Sequence, residues 1–292
     1  MRKLKKRSYS IGVDLGGTNV RAGLVDGRRI VKLDAKAIRS QGSAEDVFED
    51  LCSVIDSVLD KRVRSLGIGV PSLVDPKNGA IFDTVNIPAW KNLPLKRRLE
   101  KRYGFPVAVN NDANCFALGE RRFGAGRKFE NFVGLVIGTG LGAGIISRGQ
   151  LHSGRYCGAG EFGTIGYLDS IVEHYASGQF FRKFGWDGEQ TAAEARRGNA
   201  KASEIFGEFG HHLGQALKLV LYALAPEAIV LGGSVSHSFL FFEQALRQSL
   251  EDFAYPAVVS ALDIRVSKVK DVAVLGAASL TSSLTSSLTW SE

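Results

Sequence analysis

The chain has 292 residues, 45% of them hydrophobic. This length and composition suit two domains of roughly 130 residues each, and the chain has no run of about 20 apolar residues that could span a membrane. The net charge is +7, but residues 2–7 carry five of these charges, so the remaining body is nearly neutral and does not indicate a nucleic-acid partner. This basic start leads into polar residues rather than the apolar region of a signal peptide, and we therefore expect a cytoplasmic protein that is not exported.

Strands and glycine turns open the chain. Residues 9–15 form an apolar run that ends at Gly16-Gly17, and residues 20–25 form a second run. Asp26-Gly27 is a strong two-residue hairpin signal before Ile30-Val31. The pattern predicts an antiparallel meander of three strands.

Helices and strands then alternate. Residues 43–61 carry apolar side chains at helical spacing, and residues 66–70 have the pattern of a buried strand. A short helix is predicted at residues 96–103, a short strand at 107–109, and a helix at 111–122 that begins in a cluster of capping residues. Alternation of this kind predicts an α/β sheet.

The opening pattern returns near the middle of the chain. Residues 132–137 form an apolar run, Gly138-Thr139-Gly140 interrupts it, and residues 142–146 form the next run. When residues 11–17 are laid over 133–139, apolar positions coincide and two glycines match. We interpret the chain as a divergent duplication, the alternative being a chance match of two glycine hairpins. The rest of the second half is predicted as helices near 170–183, 200–225 and 239–252, a strand at 228–231 that runs into Gly232-Gly233, and a last helix around 272–284.

The two glycine turns could bind phosphate. A turn of this kind exposes backbone N–H groups with no side chain in the way, so an anion can approach closely. Asp14 precedes the first turn, where a carboxylate can hold Mg²⁺ through water, whereas the matching position of the repeat is Val136. Only the first copy can therefore serve a metal. The alternative is that the glycines simply form hairpins.

Four motifs together resemble the ROK family (repressors, open reading frames, kinases) within the wider actin, Hsp70 and hexokinase-like fold. They are residues 14–19 (DLGGTN), 111–114 (NDAN), 138–142 (GTGLG) and 231–233 (LGG). The resemblance implies an α/β fold of two actin-like (ribonuclease H-like) domains with a central cleft. We expect the first domain to comprise residues 9–113 with a C-terminal helix at about 272–286, and the second to comprise residues 114–271.

The resemblance also implies a role for each matched residue. Asp112 would be the catalytic base, and Asp14 would hold Mg²⁺. The residues implied to bind ATP are Asp14, Gly16, Gly17, Thr18, Gly138, Thr139, Gly140, Gly232 and Gly233. The residues implied to bind the sugar are Asn86, Asn111, Asp112, Glu161, Thr164 and Glu173. Amides and carboxylates can hydrogen-bond vicinal hydroxyls in pairs. The plain alternatives are a helix cap for Asn111 and an exposed charge for Glu173.

One segment departs from the family. Most members carry a histidine and a cysteine-rich zinc loop where this chain has Thr164 and then residues 165–172 without cysteine. A hydroxyl cannot replace imidazole and thiolates as zinc ligands, so zinc is not expected and the identity of the sugar becomes less certain. A lone His174, like His211 and His212, receives no functional interpretation. Three widely spaced cysteines argue against a disulfide framework: Cys52, Cys115 and Cys157.

We therefore expect an ATP-dependent hexose kinase, with transfer to the glucose 6-OH as the first hypothesis and a homodimer as the expected assembly. A kinase for N-acetylhexosamine or fructose is the alternative, because such an enzyme would carry the same phosphate-binding motifs. A sugar-sensing transcriptional regulator is the alternative from another class, but about eight residues before the first strand are too few for a helix-turn-helix. An actin- or Hsp70-like ATPase would give no reason for the Asn111-Asp112 pair. The sequence leaves the phosphoryl donor and the physiological sugar open.

Overall fold

A computed structural model describes residues 9–84 and 86–281 of the protein, which form two compact units. The first unit contains residues 9–124, Leu151–Ala159 and 269–281, and the second contains Ala125–Gln150 and Gly160–Lys268. The basic run at residues 2–7 and the end of the predicted last helix lie outside the described residues. Among the described residues, no helix is both long and apolar enough to cross a lipid bilayer.

Two layers of helix cover a five-stranded sheet in the first unit. Its strands are β1 Tyr9–Leu15, β2 Asn19–Val25, β3 Ile30–Ala37, β4 Val63–Val70, β5 Val74–Asp75, β6 Ala80–Asp83, β7 Lys91–Leu93 and β8 Val107–Asn111. Its helices are α1 Ala44–Val58, α2 Leu95–Tyr103, α3 Asp112–Phe123 and α10 Val272–Ser279. The main sheet has the order β3-β2-β1-β4-β8, and β5, β6 and β7 form a small second sheet.

The predicted meander is confirmed, because β1, β2 and β3 pair antiparallel in sequence order. β4 then pairs parallel with β1, and β8 pairs parallel with β4. The carboxyl ends of β1 and β8 therefore lie along one edge of the sheet, on either side of β4.

The last helix, α10, packs directly on the sheet of this unit. Alternate residues of a strand face opposite sides, and α1 packs on the side of Ile11 and Val13. On the other side, a Cβ added to Gly67 would lie 1.8 Å from the Ala277 carbonyl oxygen, and one added to Gly12 would lie 1.9 Å from that of Val274. The helix backbone approaches the sheet this closely only because both positions lack a side chain.

A similar sheet forms the core of the second unit. The strands are β9 Phe132–Ile137, β10 Leu141–Ser147, β12 Gly166–Tyr167, β13 Ser170–Ile171, β14 Ala228–Gly232 and β15 Asp263–Val266. Strand β11, Gln150–His152, begins in this unit and runs into the segment Leu151–Ala159. The helices are α4 Val172–Ala176, α5 Gln179–Arg182, α6 Gly188–Arg196, α7 Ala200–Leu224, α8 Phe239–Ser249 and α9 Pro256–Ala261. The order β11-β10-β9-β14-β15 repeats the pattern of the first unit, with an antiparallel β9–β10 hairpin and β14 parallel to both β9 and β15.

Two predicted boundaries differ from the structure. The first unit was expected to end at residue 113, but the whole of α3 belongs to it, because α3 packs along α10. The predicted helix at 170–183 is instead β13, α4 and α5, interrupted at Ser177-Gly178. The helix breaks there because the Gly178 N–H donates to the Gly138 carbonyl at 2.7 Å, and not to the preceding helical turn.

Candidate active site

The first glycine turn, between β1 and β2, leaves two backbone donors for a ligand. The Gly16 N–H donates to the Asn19 carbonyl at 2.9 Å, which closes the turn. Among the described residues, none accepts a hydrogen bond from the N–H of Gly17 or Thr18. A Cβ on Gly17 would lie 2.7 Å from the Cβ of Asn86. Glycine is therefore required for Asn86 to lie against the turn.

Asp14 and Asp112 lie along the same sheet edge as this turn. Asp14 is in the last residues of β1, and Asp112 is the first residue of α3, directly after β8. A Cβ on Gly69, near the end of β4, would lie 3.2 Å from the Asp112 Cα, so this glycine lets α3 begin close to the sheet. The two carboxylates are near enough for the charge of Asp14 to affect the titration of Asp112.

Burial shifts the pKa of both carboxyls upward, and the charge of Asp14 adds to the shift of Asp112. Burial, followed by the negative charge of Asp14, raises the pKa of Asp112 to about 6, although the Ala113 N–H donates to it. Burial likewise raises the pKa of Asp14, against the opposing charge of Arg21. The backbone donors at the start of α3 favour the ionised form of Asp112, but burial and the second carboxylate outweigh them.

Asn86 and Asn111 are held near these carboxylates in different ways. Asn86 is exposed on a turn that two buried side chains hold: the Thr84 hydroxyl donates to the Ile87 carbonyl, and Trp90 Nε1–H donates to the Ala44 carbonyl. Asn111 is the N-cap of α3, and its Oδ1 accepts from the backbone N–H groups of Ala113 and Asn114 at 2.9 and 3.2 Å. Its side-chain NH₂ group remains available to donate to a ligand.

Replacing Asn111 separates capping from ligand binding. Asn111→Ser keeps a good capping oxygen, so we expect its stability to stay close to wild type, whereas Asn111→Ala should lose about 1 kcal/mol. Both variants lose the NH₂ donor, and we expect each to raise the KM for the sugar by about 3- to 10-fold. Thermal unfolding and sugar kinetics measure the two effects. A serine variant with unchanged KM would leave Asn111 only its capping role.

The second glycine turn, between β9 and β10 in the second unit, also has one N–H that closes the turn and two N–H groups left for a ligand. The Gly138 N–H donates to the Gly140 carbonyl at 2.9 Å, and no described residue accepts from the N–H of Thr139 or Gly140. The turn is held from behind by the segment after β13. The Ser177 hydroxyl donates to the Thr139 carbonyl at 3.1 Å, and the Leu141 N–H donates to Glu173 Oε2 at 2.8 Å.

Glu161, Thr164 and Glu173, the other predicted sugar ligands, belong to the second unit. Glu161 and Thr164 are exposed, and the Thr164 hydroxyl donates to the Glu161 carbonyl at 2.8 Å. Glu173 is half-buried, and its other oxygen, Oε1, accepts from the Gln179 side chain at 3.0 Å. Both Glu173 oxygens therefore have partners inside the unit, which the sequence interpretation did not anticipate.

A cavity of about 500 Å³ opens beside the second turn. Gly233, just after β14, has φ +82°, and a Cβ there would lie 2.3 Å from the Ile137 carbonyl oxygen. The predicted Gly232-Gly233 loop thus leads into the residues that line this cavity. Among the lining residues, sequence reasoning identified only Gly138 and Thr139. The others belong to α5, to α6, to the residue that precedes each of these helices, and to the turn after β14: Gly178, Arg182, Asp187, Gly188, Glu189, Ala192, Arg196, Ser234, Val235, His237 and Ser238.

The donor set around Asp14 fits a magnesium ion that is also bound by phosphate. Two neighbouring carboxylates with raised pKa values carry negative charge that a cation would offset. In the described part of the chain, no three His, Cys, Asp or Glu side chains form a metal-binding group. Mg²⁺ commonly binds through one or two carboxylates, water and substrate phosphate, and such a site needs no larger protein cluster.

Comparison with known proteins identifies the family to which this fold and site belong. Residues 10–283 match the model of the ROK family, and the chain belongs to that family. It is 32% identical to a glucokinase of Thermotoga maritima over 92% of this chain and 96% of that protein. It is also 32% identical to an N-acetyl-D-glucosamine kinase of Pectobacterium carotovorum, over 77% of this chain and 84% of that protein.

A crystal structure of a ROK family glucokinase from Streptomyces griseus, in complex with glucose and AMPPNP, has the same fold. It superimposes with a TM-score of 0.81 at 29% identity and covers 93% of this chain and 98% of that one. The predicted class, an α/β protein of two actin-like domains, is confirmed.

Proposed function

We propose that this protein is an ATP-dependent hexose kinase that transfers the γ-phosphoryl group to a primary hydroxyl, with glucose O6 as the first substrate. The observation that carries the proposal is the sheet edge of the first unit. There, Asp112 with its raised pKa lies with Asp14 beside a glycine turn that offers two N–H donors. This combination serves phosphoryl transfer, which requires a positioned hydroxyl and stabilisation of charge on phosphate oxygens.

Asp112 acts on the acceptor hydroxyl. Its carboxylate orients the hydroxyl and takes the proton as the oxygen–phosphorus bond forms and ADP leaves. With a pKa of about 6, the group is roughly nine-tenths ionised at pH 7, and is a stronger base than an ordinary aspartate. Burial thus improves the side chain for this role.

The glycine turns act on phosphate. The N–H groups of Gly17 and Thr18 in the first unit, and of Thr139 and Gly140 in the second, are fixed donors that need no rearrangement as charge develops. The cavity beside the second turn, with Arg182 and Arg196 in its wall, takes the nucleoside end of ATP. Gly232 and Gly233 shape its entrance.

Asp14 would hold Mg²⁺ through water or through the bound nucleotide, while Gly16 keeps the turn beside it free of side-chain atoms. A bound Mg²⁺ would neutralise charge on the phosphate oxygens. We propose no zinc requirement, since residues 165–172 offer no thiolate.

Asn86, Asn111, Glu161, Thr164 and Glu173 select the sugar. A kinase for N-acetylhexosamine is the second candidate, favoured by the relative from Pectobacterium, and it would differ around the exposed Glu161 and Thr164. We further propose that the enzyme works in the cytoplasm as a homodimer.

ADP release against a panel of hexoses and amino sugars tests the function. We expect one sugar, glucose first, to raise the rate far above the background ATPase rate in Mg²⁺ and in the presence of a zinc-selective chelator, and removal of Mg²⁺ to abolish the stimulation. Stimulation by N-acetylglucosamine alone would favour the second candidate. If no sugar stimulates ADP release, the kinase proposal fails.

A further inference from the structure

Helix α4 and the residues after it form the support of the second glycine turn. Three polar groups of this segment contact the turn: Glu173 accepts from the Leu141 N–H, Ser177 donates to the Thr139 carbonyl, and the Gly178 N–H donates to the Gly138 carbonyl. The segment thus binds the carbonyls of Gly138 and Thr139, while no described residue accepts from the N–H groups of Thr139 and Gly140. The conformation of the turn therefore depends on the position of α4.

Helix α4 cannot hold that position by its own secondary structure. It has five residues, and the hairpin before it pairs two strands of two residues each. A helix this short and a hairpin this small are both unstable in isolation. Packing against the rest of the unit must fix them.

An aromatic cluster provides this packing. We name the cluster Tyr167–Tyr175–His212 after its members from β12, α4 and α7. The His212 ring centroid lies 4.9 Å from that of Tyr175 and 5.7 Å from that of Tyr167, and the two tyrosine rings are 5.2 Å apart. Edge-to-face and tilted contacts at such distances stabilise beyond simple burial.

His212 also joins the cluster by a hydrogen bond that a phenyl ring could not make. Its Nδ1 is 3.0 Å from the Tyr167 hydroxyl, and its Nε2 is 3.6 Å from Glu208 Oε1. The His212 side chain is only 11% exposed. With the proton on Nε2, Nδ1 accepts from Tyr167 and the Nε2–H faces Glu208. The imidazole thus ties the hairpin to α7 while its face packs on α4.

We propose that His212 is a positioning residue for the phosphoryl donor: through Tyr167 and Tyr175 it fixes α4, and through Glu173 and Ser177 it fixes the second glycine turn. This inference rests on the proposed function, because it treats that turn as a phosphate site. It assigns a role to a histidine that touches neither the turn nor the cavity beside it.

Binding of ADP in Mg²⁺ buffer, measured by calorimetry, tests the proposal. His212→Phe keeps a ring and loses the acceptor for Tyr167, and Tyr167→Phe loses the matching hydroxyl. We expect each to weaken ADP binding about 5-fold or more, and the double variant to be no weaker than either single one. His212→Asn, whose oxygen can take the place of Nδ1, should recover part of the affinity. His211→Phe, on the exposed neighbouring residue, is the matched control and should bind as wild type.

The outcomes are distinct. A folded His212→Phe variant that binds ADP like the wild type would overturn the inference, as would additive losses in the double variant. If His212→Phe does not fold, Tyr167→Phe, which loses one hydroxyl, decides in its place: unchanged binding overturns the inference, and weakened binding supports it. A wild-type protein that neither binds ADP nor phosphorylates any sugar would instead defeat the proposed function.

Discussion

Asp112→Asn is expected to lower kcat by about 10²-fold or more while leaving sugar binding nearly unchanged. Asparagine keeps the shape of aspartate and can still bond the hydroxyl, but it cannot take the proton. The capping of α3 should not suffer, because Asn111 provides the cap. In the wild type, kcat/KM should fall about tenfold per pH unit below pH 6, where Asp112 becomes protonated.

The same substitution should stabilise the protein at high pH. Because the folded-state pKa of Asp112 is about 6 rather than 3.8, the folded state binds the proton more tightly than the unfolded state. The resulting stability is fully present below pH 3.8 and is lost as the pH rises through 6. At pH 8 the ionised carboxylate thus costs of order 1 to 3 kcal/mol, which asparagine removes.

Melting temperatures at pH 8 and pH 5 check this result. Asp112→Asn should melt several degrees above the wild type at pH 8, with about half of the difference remaining at pH 5. Asp83→Asn, an exposed carboxylate of the same unit, serves as the control and should change neither kcat nor the melting temperature. Near-wild-type turnover of Asp112→Asn would remove Asp112 from the mechanism.

Gly67→Ala is expected to lower the free energy of unfolding by at least about 3 kcal/mol. The new methyl carbon would lie 1.8 Å from the Ala277 carbonyl oxygen and 2.7 Å from its carbon. These are backbone atoms, so no side chain can rotate to make room, and α10 must move off β4. Urea unfolding followed by circular dichroism measures the loss.

Gly207→Ala is the matched control. Gly207 lies inside α7, and a Cβ there would have no neighbour within 4 Å. Because alanine favours the helix, we expect this variant to gain up to about 1 kcal/mol. If Gly67→Ala unfolds at the same urea concentration as the wild type, α10 does not pack on the sheet as described.

Local patterns were enough to predict most of the strands and helices. Asp26-Gly27 marked the first hairpin, and the matching glycines of residues 11–17 and 133–139 indicated two similar sheets. The local sequence patterns failed where contacts between residues far apart in the chain determine the secondary structure. The helix breaks at Ser177-Gly178 because the Ser177 hydroxyl and the Gly178 N–H donate to a turn about 40 residues earlier in the chain. The sequence near residue 177 does not indicate this contact.

In the candidate site, too, the sequence predicted which residues matter but not the properties that depend on distant residues. Motifs singled out Asp112, but not the direction of its pKa shift, which depends on burial and on Asp14, 98 residues away. Glu173 matched a sugar ligand, yet whether its oxygens are already engaged depends on Leu141 and Gln179. His212 carried no signal at all, because its partners Tyr167 and Tyr175 are distant in sequence.

The first unit is discontinuous in sequence, and this sets the order in which the chain can fold as it leaves the ribosome. Its main sheet is complete at Asn111, but α10, which covers one side of β1 and β4, begins at Val272, about 160 residues later. At typical rates of synthesis that interval lasts roughly 8 to 30 s. The second unit closes within residues 125–268, so the later half of the chain can reach its native form while the earlier half still exposes an apolar face.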